Sequence, residues 1–120
     1  MNNSHAIDQD AIDRLVEWGG DKLLKQMLRL FLDNTPERFE QIESGLAPGG
    51  DLDEAHRGAH SLKSSAANLG AMGVSELAAQ LESATKSGGL EESKELYTQL
   101  QAAYAEAEAV LQGLLAGAPA

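Results

Sequence analysis

Six positions, Leu52, Ala55, Ala59, Leu62, Ala66 and Leu69, follow one another at spacings of 3-4-3-4-3. Only a helix places such a series on one side, and a stripe of this width is built to face other helices. Asp51 stands at the N-cap position of this segment, and Glu54 at the position of its capping-box partner. Gly70 suits the left-handed residue that follows a helix.

The remainder of the chain repeats that pattern. In the first segment Asp8 is an N-cap, and Ile7 with Ile12 can staple across it. Ile12, Leu15, Val16 and Trp18 supply its apolar side, and Gly19–Gly20 end it. A second segment, 21–46, carries Leu24, Met27, Leu28, Phe31, Phe39, Ile42 and Leu46. Pro36 interrupts it with Asn34 or Thr35 as a possible cap, yet the apolar phase survives, which predicts one bent helix. The fourth segment, 72–87, uses Val74, Leu77, Leu81 and Ala84. The fifth uses Leu96, Leu100, Ala103, Ala107, Val110 and Leu114, flanked by Tyr97, Tyr104 and Leu111. With few aromatics, abundant Ala and Leu and no convincing strand, the fold class is all-α. The architecture this predicts is an antiparallel up-down-up-down four-helix bundle with an additional short N-terminal helix packed across one end or side. The 120 residues make one domain, with flexible ends at about 1–6 and 116–120.

Composition excludes several functions. There is no cysteine, so disulfides, thiolate metal sites and cysteine nucleophiles are absent, in keeping with a cytoplasmic location. Nine Lys and Arg against nineteen Asp and Glu give a formal charge of −10. Nucleic-acid phosphates would repel such a chain. No apolar run reaches membrane-spanning length, and the opening MNNSHAIDQD lacks a signal-peptide pattern. That Met1 start and polar lead-in fit a free-standing protein.

His60 lies roughly 130° from the centre of the 52–69 stripe, beside the core face. Its own face holds Arg57 and Lys63 at three-residue spacing, His56 and Ser64 at four, and Ala67 a turn beyond. In so acidic a chain this is a local cluster of cationic and small residues. A neutral imidazole nitrogen is nucleophilic near neutral pH, and a nearby ammonium can offset the charge of a phosphoryl group it accepts. Periodicity alone leaves other readings open. Arg57 and Lys63 can be solvated surface charges, and Gly58, Ser61 and Ser65 can mark a close helix contact. The His56/His60 pair is thin support for a metal site without converging carboxylates. A di-metal carboxylate bundle would need Glu-x-x-His pairs, which the chain lacks.

AHSLKSSAANLGA, residues 59–71, resembles the signature of histidine-containing phosphotransfer (HPt) domains, roughly A-H-x-L-K-[G/S]-[S/A]-[S/A]-x-x-[L/V]-G-[A/M]. The acidic-capped first helix, the Gly-Gly break, FLDNTPERF at 31–39 and AQLE at 79–82 extend the resemblance over nearly the whole chain, although only the His60 stretch is specific. The resemblance implies a phosphocarrier without a kinase or ATP site. His60 would accept a phosphoryl group from a receiver-domain aspartyl phosphate and pass it to the aspartate of another receiver. Lys63 would steady the phosphoryl charge. Ser64, where many relatives have glycine, would keep the approach open, with Arg57, His56 and Ala67 around it. The partners implied are the receiver domains of a hybrid sensor histidine kinase and of a response regulator. No cofactor is implied for the chain itself, Mg²⁺ being carried by the receiver, and the chain would act as a monomer. Some relatives place a glutamine near the histidine; here Glu82 falls at that position, so the role is not carried over, and Gln80 is out of register. The competing expectation is an HPt-like docking bundle that regulates a receiver or another enzyme by binding alone.

Overall fold

The computed structural model describes residues 6–117. Four helices account for the architecture: α1 (Gln9–Leu46), α2 (Leu52–Asn68), α3 (Met72–Lys86) and α4 (Leu90–Leu115). Each packs on its neighbours in chain order and α4 returns to α1, the antiparallel four-helix ring predicted by the short turns. Of the end segments, residues 1–5 and 118–120 lie outside the described residues.

The two predicted N-terminal segments run on as one element with a single non-helical residue, Gly20 (φ 70°, ψ −168°). Glycine alone adopts that conformation without steric cost. Asp8 caps the arm before this break, accepting from the Asp10 amide at 3.1 Å. The arm lies across the α2–α3 turn, where the Asp8 amide donates to the Gly70 carbonyl at 2.7 Å. Ile7, Ala11, Ile12 and Leu15 enter the core. Val16 and Trp18 do not, being 43% and 73% exposed. Val16 points roughly 90° from the centre of the arm's buried face, and Trp18 falls on its last turn, at the rim of an open depression that Ala67 and Asn68 of α2 also line.

Pro36 neither ends nor restarts α1: the backbone is helical through it, and neither Asn34 nor Thr35 is a cap. Thr35 is buried and its hydroxyl donates back to the Phe31 carbonyl at 2.6 Å. The carbonyl that loses its helical donor at Pro36 is the next one along, that of Leu32.

In α2 the stripe is buried as spaced, with Ala55, Ala59, Leu62 and Ala66 fully covered and Leu52 half-buried. Asp51 is the N-cap, accepting from the Asp53 amide at 2.9 Å. Glu54 does not reach back to close a capping box. Its carboxylate is taken by the Arg57 guanidinium and by Gln41 Nε2 at 3.1 Å, and a guanidinium is the stronger donor. Gly58 sits at a close approach of α2 to α1; a Cβ there would lie 3.0 Å from Ile42 Cγ1 and 3.2 Å from the Arg38 carbonyl.

The core face of α4 is rotated from the predicted stripe. Tyr97, Tyr104 and Leu111, expected to flank it, are buried, whereas Ala103, Val110 and Leu114 are half-exposed. The two phenol rings are drawn inward by edge-to-face packing on α1. Phe39 contacts Tyr97 and Tyr104 at centroid distances of 5.7 and 5.3 Å, and Phe31 contacts Tyr104 at 5.8 Å.

Candidate functional site

His60 stands midway along α2 with 60% of its side chain exposed. The opposite side of the same helix carries Leu62 and Ala66 into the core, so burial holds the backbone while the imidazole remains accessible. The shallow depression around it is lined by His56, Arg57, His60, Ser61 and Glu82.

Glu82 comes from α3 and joins these groups. Its Oε2 accepts from His60 Nδ1 at 2.6 Å, and its Oε1 accepts from Lys63 Nζ at 2.6 Å. Its main-chain carbonyl accepts from His56 Nδ1 at 2.9 Å and from the Thr85 hydroxyl at 2.9 Å. Only 17% of the Glu82 side chain is exposed. The Lys63 ammonium, followed by the His60 hydrogen bond, holds its carboxyl below the usual carboxylate value against the opposing effect of burial.

An ionised carboxylate only accepts hydrogen bonds, so His60 Nδ1 must carry the ring proton. In the neutral ring the lone pair is thereby placed on Nε2, which presents a defined nucleophile. Lys63 keeps two further N–H donors beyond the one given to Glu82.

The other sequence-derived candidates are arranged unequally. His56 is half-buried, with Nε2 3.9 Å from Glu82 Oε2, too far for a hydrogen bond. Arg57 pairs with Glu54 at the edge of the His60 depression. Ser64 is exposed one turn beyond His60, while Ser61 lines the depression itself. Ala67 lies in a separate depression with Arg14 and Trp18. Ser61 and Ser65 also border the apolar groove between α1 and α2, with Met27, Leu30 and Phe31. Among the described residues, no group of three or more His, Asp or Glu side chains is placed to hold a metal ion, and no helix is long and apolar enough to cross a membrane.

Sequence reading missed Glu82 as a site residue. The signal was present, since counting along the motif brings position 82 to the histidine. The side chain there is glutamate, whereas some relatives carry glutamine, and that difference hides its role.

The Glu82 pairs make acid stability a direct check of this geometry. Because the folded-state pKa is depressed, their contribution is fully present above the ordinary carboxylate value of 4.5 and is lost as pH falls through the lower folded value. Glu82→Gln is therefore expected to flatten the fall in melting temperature as pH drops below the ordinary carboxylate value. Parallel melting curves for the two proteins would show that the carboxylate has no such partners in solution.

Comparison with known proteins bears on the family and the fold. The profile of the Hpt domain family matches residues 26–110. Histidine-containing phosphotransfer protein B (HptB) from Pseudomonas aeruginosa PAO1 superposes with a TM-score of 0.87 at 22% identity, over 95% of this chain and 97% of that one. The HPT domain of the Hpt sensor hybrid histidine kinase from Shewanella gives 0.79 at 22% identity, over 97% of this chain and 98% of that one. At this identity the two structures speak for the fold. No curated protein matches the chain. With the family profile spanning well over half of its length, the chain belongs to the Hpt domain family.

Proposed function

We propose that the protein is a phosphorelay intermediate in two-component signalling, accepting a phosphoryl group on His60 Nε2 from the aspartyl phosphate of one receiver domain and passing it to the aspartate of another. The observation that carries this reading is the exposed imidazole whose Nδ1 proton is committed to Glu82. The Nε2 lone pair forms the N–P bond as the acyl P–O bond breaks, and the receiver carboxylate is released. Lys63, one turn along α2, offsets the charge of the transferred group with its remaining donors. Arg57, His56, Ser64 and Ala67 belong to the surface a receiver covers. Mg²⁺ belongs to the receiver, and no ATP site of the chain's own takes part.

Incubation with a phosphorylated receiver is expected to label the protein with phosphate that acid removes and alkali does not, the behaviour of an N–P bond. Binding of the receiver with no label transferred would replace this reading by regulation through docking.

A further inference from the structure

We propose that Arg57 leaves its ion pair with Glu54 and closes on the phosphoryl group carried by His60, one guanidinium thus serving two alternative anions. This rests on His60 as the phosphoryl acceptor. Arg57 stands three residues before His60 on α2. Helical side chains lean toward the N-terminus, which brings the imidazole over the turn that carries Arg57. The two residues are walls of one open depression, together with His56, Ser61 and Glu82. The charged and titratable groups facing that space are therefore His56 and Arg57 of α2 and Glu82 of α3, with Lys63 held on the other oxygen of Glu82. Glu82 meets the ring at Nδ1, so a group attached to Nε2 projects away from that carboxylate, into space where Arg57 is the cation on the wall.

The present partner holds Arg57 weakly. The Arg57 side chain is 57% exposed and that of Glu54 44%, and an ion pair so open to water gains little. Its described hydrogen bond runs from Nη2 to Glu54 and uses one of five guanidinium donors. A phosphoryl group brings about two negative charges and three acceptor oxygens, and a guanidinium grips such a group through two parallel bonds. Glu54 offers a single charge. Nor is Glu54 stranded when Arg57 departs. Gln41 Nε2 stays on its Oε2 at 3.1 Å, and Arg38 Nη1 backs Gln41 Oε1 at 3.1 Å. Glu54 also stands at the capping-box position for the Asp51 amide. The exchange requires the rotation of one long surface side chain and the movement of no helix.

Loading with phosphoramidate tests this without a receiver, so that docking plays no part. The Nε2–P bond forms as the P–N bond of the donor breaks and ammonia leaves. The ³¹P resonance followed against pH then reports the cation beside the phosphoryl oxygens, because a positive charge favours their fully ionised form. Arg57→Gln is expected to tighten proton binding by those oxygens roughly three- to tenfold, and Arg57→Lys to recover part of the difference. Glu54→Gln is expected to act in the opposite direction, weakening proton binding roughly threefold, since the guanidinium is then free beforehand. In the Glu54→Gln/Arg57→Gln double variant that second effect should largely vanish. An Arg57→Gln protein that titrates like the wild type would overturn the inference. So would a Glu54→Gln effect of equal size with and without Arg57, which would be the charge of Glu54 acting alone. A wild-type protein that takes no phosphoryl group, or a His60→Gln protein that still takes one, refutes His60 as acceptor instead, and the two failures are told apart by the label itself.

Discussion

His60→Gln is expected to abolish phosphoryl acceptance completely while leaving the fold intact. A carboxamide nitrogen has no available lone pair, so no N–P bond can form. The His60 side chain is 60% exposed and makes its described side-chain hydrogen bond with Glu82 alone. Glutamine is at least as good a helix former as histidine, so the change in stability should stay within about 0.5 kcal/mol. His56→Gln is the matched control. His56 is tied to the Glu82 carbonyl through Nδ1, and its loss should leave labelling in place. Label surviving His60→Gln would move the chemistry to His56 or to His5, the latter outside the described residues. The measurement is acid-labile, alkali-stable phosphate after incubation with a phosphorylated receiver, alongside thermal melts of the same proteins.

Gly70→Ala should destabilise the protein by about 2–5 kcal/mol, the sum of two separable costs. Gly70 has φ +74°, and a Cβ in that region costs about 1–2 kcal/mol. The new Cβ would also lie 2.7 Å from the Asp8 carbonyl and 2.8 Å from Ala11 Cβ. Neither atom can swing aside, so the arm must lift, at a further cost of about 1–3 kcal/mol. Lifting it would also strain the Asp8–Gly70 hydrogen bond and uncover Ile7, Ile12 and Leu15. Gly88→Ala separates the two contributions, because φ is +82° there but nothing lies within 4 Å of the Cβ. It should lose only the conformational part. Gly73→Ala, helical and unobstructed, should gain about 0.5–1 kcal/mol. Urea denaturation followed by circular dichroism checks the series; equal losses at positions 70 and 88 would mean that the arm does not press on Gly70.

The boundaries most readable in the sequence rest on local chemistry. Asp8 and Asp51 cap their helices because their carboxylates satisfy amides two residues on, an interaction within reach of any chain that turns there. Gly20 and Gly70 adopt positive φ at places where glycines predicted a break. Misreadings arose where partners came from another helix. Val16 and Trp18 have helix-compatible positions but no neighbouring element to bury them. Tyr97 and Tyr104 turned the predicted α4 stripe because Phe31 and Phe39 of α1 face them. Glu54 left the capping box for Arg57 and for Gln41 of α1.

The same division runs through the site. His60, Lys63 and their shared face followed from the sequence alone, because residues three apart on a helix are neighbours whatever the helix packs against. Glu82 is 22 positions from His60, and its place at the ring depends on the register between α2 and α3. That register comes from packing. Leu62 and Ala66 of α2 enter one buried core with Ala78 and Leu81 of α3. The Ser75 hydroxyl locks onto the Lys63 carbonyl at 3.0 Å, and His56 onto the Glu82 carbonyl at 2.9 Å. Helical periodicity determined which nitrogen-bearing side chain would be accessible; the close packing of two helices decided which of its nitrogens holds the proton, because only there does a carboxylate meet the ring.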